Sequence, residues 1–415
     1  MRREPLSAVD AAWLGMGSEE NPMVITAVLS FAAPVPRAAL VETMTRVAES
    51  PRFRRRVVRA ITGAHWEDDP TFDVDAHVTH VACPRPGDRA ALEEVVSDVM
   101  GHALDPLRPL WHLTLVDGVG EGGAVIARVH HALGDGIALV SMLLGLAASD
   151  ATLADVGSAR PPPAGVGDLA LAGASHLATL GRLLVMPADP PTPLKGALGK
   201  RKRVAWTDAL PLDRLKAIGK RLDAKVNDVA TSLVSAALAE ELERAGAMKP
   251  GLEIHALVPV FFRGEGGLGN HFGLVFLALP LGVSDPLDRV RAVQRRMTIR
   301  KEGVDAAVSW EVLGAMGVAS PELERIGIDV FSRKATLLVT NVPGPPVKVP
   351  LFGQTIDDIV VSAPNAGHIG LGVSILSYAG GVRVTVAADA HLVDDPARVA
   401  RAVERHYAAL DARVV

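Results

Sequence analysis

The chain has 415 residues, 49% of them hydrophobic, and a formal net charge of −4. That length suffices for two core-bearing domains, and the slightly acidic balance argues against a nucleic-acid partner. Mean hydropathy is +0.25, yet no window of about eighteen residues is free of charges and breakers, so no spanning helix is expected.

Met1-Arg2-Arg3-Glu4-Pro5 lacks the apolar run of a secretory signal, which points to a cytoplasmic location. Ser7 reads as the N-cap of a helix carrying Trp13, Asn21-Pro22-Met23 as a turn, and Val24 to Phe31 as a strand. Trp13 and Met23 read as core residues. Residues 38–49 read as a helix. In Phe53-Arg54-Arg55-Arg56 three successive cations form a solvated edge or attract an anionic ligand. Phe72 to Val78 alternates as a strand does, Ala90 to Met100 is helical, and His112 to Val116 is a further strand. Cys83, the single cysteine, excludes an intrachain disulfide, fits a reducing compartment and reads as a small apolar filler. His77, His80, His102 and His112 show no metal-ligand spacing, and no metal is expected.

The sharpest chemical signal follows. The apolar run Ala124 to Val129 leads into His130-His131-Ala132-Leu133-Gly134-Asp135-Gly136, after which helical spacing resumes from Ile137 to Leu146. Two histidines thus stand at a strand end before a glycine-flanked turn. Histidine is the usual general base at neutral pH, and it works when a second group fixes its ring; Asp135 is placed to fold back and brace that turn.

Between about 151 and 205 the composition shifts. Pro161-Pro162-Pro163 and Pro187 to Pro193 bracket a helical segment with Leu169, Leu177, Leu180 and Leu184 near one face. That face packs on the protein's own core or lies on a membrane surface. Lys195, Lys200, Arg201, Lys202 and Arg203 read as a solvated loop or as a landing site for phosphates or anionic headgroups.

In the second half, Asn227 reads as the N-cap of a helix from Val229 to Arg244, with Asp228 favouring the helix dipole. The strand Ile254 to Phe262 precedes Gly266-Gly267-Leu268-Gly269-Asn270-His271-Phe272-Gly273, a tight turn with exposed N–H groups and no P-loop ending. His271 is a weaker second candidate base. The strand Ala335 to Val339 runs into Thr340-Asn341-Val342-Pro343-Gly344-Pro345, where an asparagine amide could serve as an oxyanion donor. Gly370 to Tyr378 and Val382 to Asp389 read as a hairpin, and a closing helix spans Pro396 to Leu410.

His130-His131-x-x-x-Asp135-Gly136 resembles the HHxxxDG motif of the acyl-CoA-dependent acyltransferase superfamily. "LSAVDAAWL…ENPMVITAVLSF", Pro109-Leu110-Trp111, Asn227-Asp228, Gly269-Asn270-x-x-Gly273 and "TNVPGP" are similar, in the same order, to the bacterial wax ester synthase/diacylglycerol acyltransferase family. Trp13 stands where that family generally has phenylalanine, Val24-Ile25-Thr26 replaces a His-hydrophobic-Gly run, and Thr340 replaces serine. The resemblance implies an α/β fold of two chloramphenicol acetyltransferase-like domains, each a mixed sheet flanked by helices, with an active-site tunnel between them. The expected division is 1–155, a crossover linker over 156–203, and 204–415.

It implies an O-acyltransferase moving a long-chain acyl group from acyl-CoA to a fatty alcohol or diacylglycerol hydroxyl. Acyl-CoA is then a co-substrate and no cofactor is expected. His131 would be the general base, His130 would orient the site, Asp135 would brace the turn through a salt bridge to an arginine, and Gly136 would allow close backbone approach. Gly269, Asn270, Thr340 and Asn341 would contact substrate. The run Lys200 to Arg203 would meet the phosphates of coenzyme A or anionic lipid, consistent with peripheral attachment to a membrane or lipid body. A condensation-type acyltransferase for a polar or carrier-bound acceptor and a non-catalytic lipid-binding protein are the alternatives.

Overall fold

A computed structural model describes residues 3–60, 63–134, 179–261, 272–302 and 305–414. The first half runs β1 (Arg3–Pro5), α1 (Ala8–Gly15), β2 (Val24–Phe31), α2 (Arg37–Val47), β3 (Arg55–Ala60), β4 (Gly63–Asp68), β5 (Val78–Ala82), α3 (Arg89–Met100), β6 (Trp111–Val119) and β7 (Gly122–His130). The caps are local: Ser7 Oγ accepts the Asp10 N–H at 3.1 Å, as expected, and Asp88 accepts the Ala91 N–H at 2.9 Å. The strand expected over Phe72 to Val78 forms only from Val78. Asp73 accepts the Asp75 N–H at 3.0 Å, and this aspartate turn bends the chain into a short 3₁₀ helix at Asp75–His77.

The second half runs β8 (Lys202–Trp206), β9 (Leu210–Pro211), α4 (Leu212–Arg221), α5 (Val226–Arg244), β10 (His255–Phe261), β11 (Phe272–Ala278), α6 (Pro286–Glu302), α7 (Asp305–Val318), α8 (Pro321–Ser332), β12 (Leu337–Pro343), β13 (Pro350–Leu351), β14 (Gln354–Ser362), β15 (Leu371–Tyr378), β16 (Gly381–Asp389) and α9 (Pro396–Val414). α5 begins earlier than its sequence pattern suggested. Lys225, not Asn227, is its N-cap residue, and Asp228 accepts the Lys225 N–H at 2.9 Å from inside the first turn. The β15–β16 hairpin turns on Ala379 and Gly380, both at positive φ, which matches the twist of the strands they join.

Among the described residues, a first sheet has the order β13-β14-β2-β7-β6-β5, a second the order β11-β10-β12-β15-β16-β8, and β1-β4-β3 make a small third sheet. Both larger sheets are mixed: β5 joins β6 in parallel, and β12 is parallel to β10 and β15. Helices flank them, as the α/β expectation required. The halves are interlocked rather than merely abutted. The crossover from β12 to β15 sends residues 350–362, which the sequence division placed in the second half, into the first sheet, where β14 pairs with β2. In return α3 supplies Ser97 Oγ and a Glu93 carboxylate oxygen to the Val204 and Trp206 N–H groups of the edge strand β8, at 3.0 and 3.1 Å. No helix among the described residues is long and apolar enough to cross a membrane.

The cationic run at 54–56 serves the fold. Arg55 is buried and donates to Asp68 at 2.9 Å and to Glu4 at 2.7 Å, joining β3 to the small sheet's neighbours. Cys83 packs against the α3 face of the first sheet.

Candidate active site

β7 lies between β2 and β6 and is buried along nearly its whole length, so its C-terminal end is held on both sides. The His130 N–H donates to the Leu110 carbonyl at 2.9 Å and the His131 N–H to the Met23 carbonyl at 2.8 Å. Met23 itself sits at φ 54, a left-handed conformation uncommon outside glycine, so the carbonyl that receives His131 lies on a strained turn. A 3₁₀ turn over His131–Leu133 then carries the chain away.

The two histidines differ in role. His130 is buried, and its Nδ1 accepts the Ala132 N–H at 3.1 Å, which leaves the proton of the neutral ring on Nε2. Burial, aided by the positive Arg59, pushes its pKa down to about 4. His131 is 7% exposed and stacks on Trp13, with ring centroids 4.3 Å apart and planes at 24°, while Phe272 presents its edge at 5.8 Å. Trp13 is placed by α1, which packs tightly on α7: a Cβ at Gly317 would lie 1.6 Å from the Ala8 carbonyl oxygen, so only glycine allows this approach.

His131 forms part of the wall of a cavity lined mostly by apolar side chains, among them Ile25, Phe272, Leu313 and Phe331. Its polar lining includes Ser309, Thr340 and Asn365. Ser309 is occupied, accepting the Leu274 N–H at 2.6 Å and donating to the Ala306 carbonyl at 2.9 Å. Asn365 carries a buried Oδ1 with no hydrogen-bond partner among the described residues. It also borders a smaller cavity of about 420 Å³ on the far side of Ala363 and Pro364.

Of the site residues singled out in the sequence, His131 and Thr340 line this cavity, and His130 is buried next to His131 without lining it. Asn341, expected to reach it, is not among the cavity's lining residues. Leu338, Thr340 and Val342 face the cavity, so the two-residue period of β12 directs Asn341 to the opposite face, beside Val339 in the core. Asp135, Gly136, Gly269, Asn270 and His271 lie outside the described residues, as do Leu169 and Leu177. Asn365 had no signal in the sequence: an Ala-Pro-Asn stretch after a strand looks like any turn.

The basic run is partly committed to the fold. Lys195 Nζ donates to the carbonyls of Ser332 and Arg333 at 3.2 and 2.7 Å, and Lys202 donates to Asp389 at 2.8 Å. Lys200 pairs with Glu19 at the surface, and Arg201 is exposed.

The wax ester synthase/diacylglycerol acyltransferase catalytic domain matches residues 6–184 and 164–230, and the C-terminal domain of the same enzymes matches residues 268–411. A probable diacylglycerol O-acyltransferase of Mycobacterium tuberculosis is 27% identical over 443 aligned positions, spanning 96% of this chain and 94% of that protein. A second, putative one from the same organism is 28% identical, spanning 94% and 87%. In fold, the chain is similar to the wax ester synthase/diacylglycerol acyltransferase of Marinobacter aquaeolei VT8, with a TM-score of 0.74 at 21% identity over 99% of this chain and 100% of that one. The first condensation domain of the calcium-dependent antibiotic synthetase shares the architecture more distantly, with a TM-score of 0.62 at 16% identity, covering 100% and 96%.

Proposed function

Because this chain belongs to the wax ester synthase/diacylglycerol acyltransferase family, we propose that it moves a long-chain acyl group from acyl-CoA to the hydroxyl of a fatty alcohol or a diacylglycerol, giving a wax ester or a triacylglycerol. The observation that carries this reading is His131, fixed between Trp13 and Phe272 in the wall of a cavity lined mostly by apolar side chains.

A thioester carbonyl is already electrophilic, so the enzyme has to activate a hydroxyl and stabilise an oxyanion. His131 takes the proton of the alcohol as its oxygen bonds to the acyl carbon. The tetrahedral oxyanion then collapses, the C–S bond breaks, and the imidazolium returns the proton to the departing thiolate. Atoms and charge balance in this sequence without a covalent acyl-enzyme or a bound cofactor; acyl-CoA is a substrate. His130 is a positioning residue, since a ring lowered to about 4 is too weak a base for the alcohol proton at neutral pH. Thr340 and Asn365 supply the polar contacts for the carbonyl oxygen. A lipid acceptor implies work at a membrane surface or lipid body, and the exposed Leu184 and Val185 beside the cavity-lining Leu183 support that reading.

The test is release of coenzyme A thiol from palmitoyl-CoA with hexadecanol or a diacylglycerol present. Release should require the acceptor and fall roughly 10²–10⁴-fold in His131→Ala. Acceptor-independent release, or an unchanged rate in the variant, would refute the mechanism.

A further inference from the structure

The cavity has a direction, set by two strands. Phe272, Leu274 and Phe276 of β11 face it, opposite Phe261, Pro259 and Leu257 of β10 in antiparallel register. His131 meets Phe272 at one end. At the other, Phe276 belongs to a separate buried cluster with Leu183, Val308, Ala335 and Ile369. Four residues of strand, ~14 Å, separate the two ends. An extended chain advances ~3.8 Å for every three bonds, so that length holds about eleven bonds.

Leu183 stands on the helical turn 179–185, in what the sequence presented as a linker. It is 3% exposed and lines the cavity, whereas Leu184 and Val185 are 54% and 81% exposed. Among the described residues, one layer of chain therefore separates this end of the cavity from the outside. That layer is tied down. Lys334 Nζ donates to the Leu184 carbonyl at 2.9 Å and to the Met186 carbonyl, just beyond the C-terminus of α8. The buried Asp189 carboxylate accepts the His255 N–H at 2.8 Å and the Thr336 hydroxyl at 2.7 Å. A buried carboxylate with several donors and lysines spent on backbone carbonyls make a rigid wall, not a loose flap.

Building on the acyltransfer reading, we propose that Leu183 sets the maximum length of the hydrocarbon chain held in this cavity. A chain that starts at His131 and runs along β11 meets the Leu183 side chain at the Phe276 end, where among the described residues the buried apolar wall of the cavity ends. Either substrate carries such a chain, and the experiment distinguishes them.

Turnover (kcat/KM) is measured for the wild type, Leu183→Ala and Leu183→Phe in two arms. In one, saturated acyl-CoA donors are lengthened two carbons at a time with a fixed alcohol; in the other, alcohols are lengthened with a fixed donor. In one arm Leu183→Ala should extend the optimum to longer chains, by roughly fourfold in kcat/KM per methylene newly buried, and Leu183→Phe should shorten it. Short chains should be turned over as before. Leu107→Ala, at an exposed leucine outside the cavity lining, should leave both profiles unchanged. Unshifted profiles in both arms would overturn the proposal, as would a Leu183→Ala that raises every chain length by one common factor, which is a widened portal. Dissociation constants for both series, measured on His131→Ala carrying each Leu183 substitution, separate this from the reaction itself. A length cutoff that moves in binding while the enzyme with His131 intact shows no acceptor-dependent transfer overturns the acyltransfer reading alone; a fixed cutoff overturns the role of Leu183 alone.

Discussion

Replacing His130 with asparagine tests the division of labour between the adjacent histidines. Burial lowers His130 from 6.5 to about 4. A histidine depressed in the folded state binds fewer protons there than in the unfolded chain, so its stabilising contribution is complete above 6.5 and drains away as pH falls toward 4. Inside that window each pH unit costs ~1.4 kcal/mol, so acidification from 6.5 to 5 removes about 2 kcal/mol through this one ring. Other groups titrate in the same range. Burial also lowers His112 to about 4, whereas it raises Glu93 to about 7, and the latter has the opposite sign. The double difference between two proteins and two pH values cancels both. Urea unfolding of wild type and His130→Asn at pH 7 and pH 5 should show a loss on acidification about 2 kcal/mol smaller in the variant. The asparagine side chain can accept the Ala132 N–H that His130 Nδ1 now accepts, in the manner of an aspartate or asparagine turn. Activity at pH 7 should therefore stay within about tenfold of wild type, far above the level left by a lost general base. An equal acid loss in both proteins, or a variant as inactive as His131→Ala, would show that His130 is not the buried neutral brace described above.

Trp13→Phe should cost under ~1 kcal/mol in stability and leave turnover close to wild type, because the indole Nε1 is buried without a hydrogen-bond partner among the described residues and phenylalanine keeps the stacking face. Trp13→Ala should cost ~3–5 kcal/mol and lower kcat, since it empties the face against which the His131 ring is held; thermal melts and the thiol assay read both. Gly317→Ala should lower kcat without touching substrate, because its Cβ would lie 1.6 Å from the Ala8 carbonyl oxygen and must push α1, with Trp13, away from α7. Overpacking of that kind costs ~1–3 kcal/mol, and a variant with wild-type melting temperature and rate would refute the positioning argument.

Elements with strong local signals were legible in the sequence. The β-branched run of β2, the capped helix α1, the buried run before His131 and the β15–β16 hairpin each announce themselves within ten residues, and the structure places them there. His131 was legible for the same reason, as a pair of histidines breaking a buried strand. What could not be read is everything decided by register between distant segments. Asn341 looked as suitable as Thr340 until β12 took its place between β10 and β15, and a two-residue period then sent one side chain to the cavity and its neighbour to the opposite face of the sheet. Lys195 and Lys202 counted as surface charge until the carbonyls after α8 and the carboxylate of Asp389 came within reach.

The same logic explains why the two ends of the cavity differ so much in legibility. The His131 end is built from one continuous motif and two aromatic rings. The Leu183 end is assembled from a turn within the linker, β11, α7 and the approaches to β12 and β15, five segments with no shared local pattern. A motif therefore identifies the chemistry that is done, while the length of chain on which it is done is written in packing between segments that no motif spans. A substitution at such a wall changes the chain length held while the Lys334 contact to the Leu184 carbonyl keeps the turn in place.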